Sequence, residues 1–212
     1  VRLHYNSVTT PFQQYSRWVT QPWNGWNESD LRWNCALPLN TTSQSGLWSN
    51  LATWNCGQTP PAGANVTIAA SHSVTLDSPR SVGSLTIFGS LSGGSALSVA
   101  GDFNNYGIFF PSGTVTFNGG GQQIIEGATN FTDVTVGSGV TLFTISIVTL
   151  SGSLTNYGVT REIRFISGAG VQNFGLAGIS IDVTTQGGLT ELVVERRDVD
   201  HSNAGAPQQT GR

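Results

Sequence analysis

From Asn65 onward, apolar and polar residues alternate in short runs: "NVTI", "SVTL", "SLTIFGSL", "ALSVAGDF", "TVTF", "QQII", "DVTV", "GVTLF" and "IVTLSGSL". A period of two is the pattern of a strand, and the Gly, Ser and Asn between the runs are turn residues. Runs recurring at roughly 8 to 16 residues predict many short strands and no helix. Within them, Val66 and Ile68 flank Thr67, Val74 and Leu76 flank Thr75, and Leu85 and Ile87 flank Thr86. Such alternation turns the aliphatic side chains to one face and the hydroxyls to the other. Residues 1–46 hold no sustained period, which predicts an irregular, Trp-rich arm or cap ahead of a β-domain over 47–212.

One internal repeat stands out. "LSVAGDFNNYG" at Leu97 to Gly107 matches "VTLSGSLTNYG" at Val148 to Gly158 at a constant offset of 51 residues, aligning Gly101 with Gly152 and Tyr106 with Tyr157. Read as two coils of about 25 residues with three strands each, the offset lies within the range of repeat architectures and predicts a β-solenoid of five or six coils. The alternative is an antiparallel β-sandwich. The scarcity of two-residue Asn-Gly and Asp-Gly hairpin turns counts against it. A solenoid has two ends, and each must be covered, because open strand edges recruit other chains.

Composition narrows the partners. Charged residues are 10% of the chain, against about 25% in ordinary domains, and Gly reaches 27 residues. Lysine is absent, the net charge is -3, and no basic cluster exists, which excludes phosphate backbones and therefore nucleic acid. No run is long and apolar enough to predict a membrane span or a signal-peptide core, so the chain is read as a processed form or a fragment, with Arg212 a candidate cleavage point. Two cysteines and four Asn-x-Ser/Thr sequons, at Asn27, Asn40, Asn65 and Asn130, suit an oxidising compartment and mark candidate glycosylation sites.

The candidate chemistry is sparse. The tripeptide Trp-Asn-Cys occurs twice, ending at Cys35 and at Cys56. A disulfide between them would close a 22-residue loop and contribute about 3 kcal/mol; the alternative is a pair of buried thiols at equivalent repeat positions. Trp18, Trp23, Trp26, Trp33, Trp48 and Trp54 form either an exposed platform, for sugar rings or another subunit, or a plug in one end of the solenoid. His4, His72 and His201 lack the paired spacing of a zinc site, and Glu195, Asp198 and Asp200 lack a calcium loop, so no metal or cofactor is expected. Asp77, Asp102 and Asp133 could sit near one face in neighbouring coils and share acid and base roles on a glycosidic bond. They also follow strand ends, where short polar residues are common, and no enzyme is read from them. Outward threonines at 67, 75, 86, 116, 135, 141 and 149 could form an ice-binding array, or simply reflect β-propensity on a wet face.

The segment "LWSNLATWNCGQTPPAGANVTIAASHSVTLDSPRSVGSLTIFGSL" resembles the opening of the eight-glycine domain of fibrocystin and cell-surface hyaluronan-degrading proteins, and the start of bacterial secreted surface-repeat proteins. Trp48, Trp54, Pro60-Pro61, Gly63 and the strand runs up to Leu91 carry the resemblance, which extends loosely over 47–160. It implies a right-handed parallel β-helix in an extracellular or cell-surface protein, with the Trp segment packed at its start, and it implies no catalysis. The expectation is therefore a non-enzymatic structural protein that self-associates. It would be a subunit of a surface layer, stalk or filament, joined head to tail through its solenoid ends and N-terminal arm. A carbohydrate-binding or adhesion module, using Trp18, Trp23 and Trp26 on glycans, is the alternative; a polysaccharide-degrading enzyme and an ice-binding protein rank behind both.

Overall fold

A computed structural model describes residues 40–184 and 191–197. The chain is all-β and winds into a parallel β-solenoid of about five turns. Strand β1 (Gly46–Leu47) precedes the first full coil, which runs β2 (Val66–Ile68), β3 (Ser73–Thr75) and β4 (Arg80–Val82). The second is β5 (Leu85–Ile87), β6 (Ser90–Gly93) and β7 (Leu97–Val99), and the third β8 (Phe103–Asn105), β9 (Ile108–Pro111) and β10 (Thr114–Phe117). The fourth is β11 (Gly121–Glu126), β12 (Thr129–Phe131) and β13 (Asp133–Val136), and the fifth β14 (Val140–Thr144), β15 (Val148–Leu150) and β16 (Leu154–Asn156). Strand β17 (Val159–Phe165) closes the stack, followed by β18 (Gly170–Phe174), β19 (Ile179–Val183) and β20 (Glu191–Arg197).

The three strands of each coil stack into three faces. The first is β2-β5-β8-β11-β14-β17, the second β1-β3-β6-β9 with β12-β15 as a separate pair, and the third β4-β7-β10-β13-β16. Register is in step with the pleat: Val66 pairs Leu85, Leu85 pairs Phe103, and Phe103 pairs Ile125, all buried. A one-residue slip would turn every one of these side chains into water, so the alternation read from the sequence also sets the register. The aliphatic residues flanking Thr67, Thr75 and Thr86 are buried, as expected.

Coil length differs from the expectation. Successive partners on the first face, Val66, Leu85, Phe103, Ile125, Thr144 and Glu162, are 18 to 22 residues apart, not 25. The 51-residue repeat is therefore not two coils. Leu97 opens β7 on the third face, whereas Val148 opens β15, eight strands later on the second face. What repeats is a corner. In both copies the Asn before the Tyr is buried, its Oδ1 accepts from the Gly two residues on (Asn105 from Gly107, 3.3 Å; Asn156 from Gly158, 3.1 Å), and its Nδ2 reaches the next layer. Asn-Tyr-Gly thus specifies a turn between two faces, and either of two corners can use it.

The longest step, from Phe103 to Ile125, coincides with the bulkiest filling. Phe103, Phe109, Phe117 and Phe131 meet in the middle of the rod with ring centroids 4.9 to 6.3 Å apart, mostly edge to face. Edge-to-face packing suits the ring quadrupoles and adds to the area buried.

Both ends are covered by the chain itself. At the start, the three faces receive separate covers: Asn40 and Thr42 bond to Thr67, β1 pairs β3, and the Gly63 amide donates to Ser81. The solenoid body therefore begins at least as early as Asn40, ahead of the expected boundary at 47. At the far end, β20 runs antiparallel against β17 and reverses the chain direction, while the β18–β19 hairpin delivers Phe174 and Leu176 to the interior. An antiparallel last strand offers no continuation of the parallel ladder, which stops the coil.

Candidate functional site

The three candidate catalytic carboxylates are corner staples. Asp77 accepts from the amide of Ser49 at 3.1 Å and from its hydroxyl, Asp102 from the amide of Ile124 at 2.9 Å, and Asp133 from the amide and hydroxyl of Ser153 at 2.8 and 2.7 Å. Each partner lies in an adjacent layer. The corner before the first face continues the device, with Asn65 accepting from Ser84 and Ser84 from Asp102. Asp102 occupies a different corner from Asp77 and Asp133, and these two are three coils apart, roughly 14 Å along the rod at strand spacing. The structure does not bring the three together. The Ser49 and Ser153 hydroxyls hold Asp77 and Asp133 below the ordinary carboxylate range. A depressed carboxylate stabilises the fold above its unfolded value and loses that contribution as pH falls through the folded one. Asp133→Asn should accordingly flatten the dependence of melting temperature on pH below about 4, measured by circular dichroism.

Trp48 and Trp54 are fully buried, with ring centroids 4.7 Å apart and planes at 62°. They plug the first end of the core and do not form an exposed platform. The Trp54 indole N–H donates to the Trp48 carbonyl at 2.7 Å. Trp54→Phe keeps most of the ring but orphans that carbonyl, and should cost about 1–2 kcal/mol in urea unfolding. Trp18, Trp23, Trp26, Trp33, Cys35 and Asn27 lie outside the described residues. Cys56 follows Trp54 in a left-handed backbone conformation (φ 68°), and no free cysteine occurs among the described residues. Of the sequons, Asn65 and Asn130 are exposed but engaged, Asn130 by the Thr149 hydroxyl at 3.1 Å, and Asn40 is half-buried. The outward threonines divide among all three faces. On the third, Ser81, Ser98, Thr116, Thr135 and Thr155 stand in register as one hydroxyl column.

An ionic cluster absent from the sequence expectations ties down the far cap. On β17, Glu162 and Arg164 are buried at inward positions, with Nη2 of Arg164 3.2 Å from Glu162. The Glu162 carboxylate also accepts from the Ala177 amide at 2.5 Å, with the amides of Leu176 and Gly175 beside it. Arg164 donates from Nε to the Asn173 carbonyl at 3.1 Å and lies over the Phe174 ring. Desolvation pushes the Glu162 carboxyl up despite these donors, and pulls the Arg164 guanidinium down. The period-two pattern of "VTREIRF" points the other way, since it puts Val159, Ile163 and Phe165 on one face and Thr160, Glu162 and Arg164 on the other. The structure turns the polar set inward, where the cap supplies partners to Glu162 and Arg164.

A second unanticipated feature is an aromatic corner between the first and second faces. Phe88 follows β5 and Tyr106 follows β8 one coil later; their rings stack at 5.4 Å and 18°, each about half exposed. Glu126 in the next layer raises the pKa of the Tyr106 hydroxyl. Beside the rings lies a depression of about 280 Å³ lined by Ser71, His72, Ser73, Phe88, Ser90 and Ile108. Coils approach closely here: a Cβ on Gly107 would stand 2.1 Å from the Gly89 carbonyl oxygen. Among the described residues, no group of three His, Cys, Asp or Glu is placed to hold a metal ion, and no helix is long and apolar enough to cross a membrane. Compared with protein-family models, curated proteins and solved structures, the chain matches none.

Proposed function

We propose that this chain is an extracellular structural protein, a rod-shaped subunit of a surface layer, stalk or filament. The observation that carries the reading is the pair of caps. The first bonds to all three faces and the last pairs the edge of β17, yet each turns large apolar side chains to water: Leu47 and Leu51 at the start, and Phe165, Val171 and Val193 at the finish, with Phe165 70% exposed. Exposed apolar side chains also occur along the sides, as at Ile108, Phe110 and Ile147, and those at the two ends suit contact between copies. Two different patches meeting head to tail form a heterologous contact that propagates without closing. Residues 1–39, with four tryptophans, add to the contact, and a Cys35–Cys56 disulfide fastens them to the first cap.

Electron microscopy of the purified chain tests it: end-to-end strings are expected, shortened by Phe165→Asp and by Leu51→Asp. Single particles at every concentration would dismiss assembly. Alkylation before and after reduction tests the disulfide, which predicts that both cysteines react only after reduction.

A further inference from the structure

We infer that the corner carrying Phe88 and Tyr106 is a binding site for a neutral glycan, seating one pyranose ring in the depression against Phe88. The inference does not depend on end-to-end assembly, since the corner lies on the side of the rod. Three observations carry it. The aromatic wall is assembled before any ligand arrives: the Phe88 ring is stacked on Tyr106 one coil away, so part of its side-chain freedom is already lost before binding. A half-exposed aromatic face is what the C–H face of a sugar ring covers, and leaving such a pair in water is costly on a surface otherwise rich in hydroxyls.

The opposite side of the depression supplies the polar partners that sugar hydroxyls need. Ser73 and Ser90 form a bonded hydroxyl pair at 2.8 Å, in which each oxygen keeps unused capacity. Nδ1 of His72 is 2.9 Å from the Thr42 hydroxyl, which orients the ring and leaves Nε2 for another partner. No carboxylate or guanidinium lines the depression, so nothing in it selects a charged sugar or a phosphate. The apolar wall continues to Ile108, which is also half exposed, and this gives the site a rim along which a second sugar unit can lie.

The test is a titration of the uniformly labelled full chain with cellotetraose, maltotetraose and chitotetraose, followed by amide chemical shifts. With at least one sugar, shifts should concentrate at His72, Ser73, Gly89, Ser90 and Ile108 with millimolar or tighter affinity. Phe88→Ala should weaken that binding about tenfold or more. Phe88→Leu, which keeps apolar filling at the corner, should weaken it comparably, and Tyr157→Ala, at an exposed tyrosine on another corner, should leave it unchanged. The inference is overturned by an absence of shifts with all three sugars, by shifts centred elsewhere, or by wild-type affinity in a folded Phe88→Leu variant. Corner shifts that grow with protein concentration in the absence of sugar would identify a second copy as the occupant, which also overturns it. String formation in the microscope is read separately, so failure of one proposal leaves the other standing.

Discussion

Glu162→Gln is expected to cost about 3 kcal/mol and to release the far cap, whereas Arg164→Met is expected to cost less and to recover as pH falls. Removing one member of a buried ion pair leaves the other charged and uncompensated. Arginine cannot shed its proton within proteins, so in Glu162→Gln the guanidinium stays charged among Ile163, Asn173 and Phe174 at every working pH. Glutamate can take one up. Burial already raises the Glu162 carboxyl above its ordinary value, and loss of Arg164 raises it further. A raised folded value means stability that is complete below the unfolded value near 4.3 and is lost as pH rises through the folded one. The Arg164→Met deficit should therefore shrink on acidification while that of Glu162→Gln persists. Because each solenoid layer touches only its neighbours, the damage should be local. Hydrogen exchange should lose protection over 170–183 while β5 to β10 keep theirs, and uniform loss along the rod would refute the anchoring role.

Gly127→Ala, which combines a left-handed backbone with a clash against the neighbouring coil, is expected to cost about 3–5 kcal/mol in denaturant unfolding. Gly127 lies in the corner between β11 and β12 with φ 87°, and a Cβ there would stand 1.8 Å from the Asn105 carbonyl oxygen of the preceding coil. The obstacle is backbone held in the inter-coil ladder, so relief means separating two layers. Gly120→Ala separates the two causes: its φ of 69° is equally left-handed, yet nothing lies within 4 Å of the added carbon. That variant should lose only about 1–2 kcal/mol. Equal losses in the two would show that conformation, not the spacing of coils, decides the position.

The outcome at the first end shows how far pattern reading reaches. Trp48 and Trp54 were legible as a clustered aromatic pair, but plug and platform share one composition; burial against each other and the first coil makes them a plug. Asp77, Asp102 and Asp133 were legible as corner residues, and their spacing was compatible with one face. Their assignment turned on which amide in an adjacent layer each one meets, and that depends on a coil of 18 to 22 residues that the 51-residue repeat concealed.

By itself, the sequence determined the short strands and, in most coils, their inward aliphatic and outward hydroxyl faces, because period-two alternation and turn residues are local properties that each run carries alone. It favoured stacked parallel coils over a sandwich only through the scarcity of hairpin turns and the presence of a repeat. Only the tertiary structure decided the coil length, the two caps, the buried Glu162–Arg164 pair and the Phe88–Tyr106 corner. These depend on which residues meet one layer apart, some 20 positions along the chain, and a pattern that repeats within every run cannot specify which run lies above which.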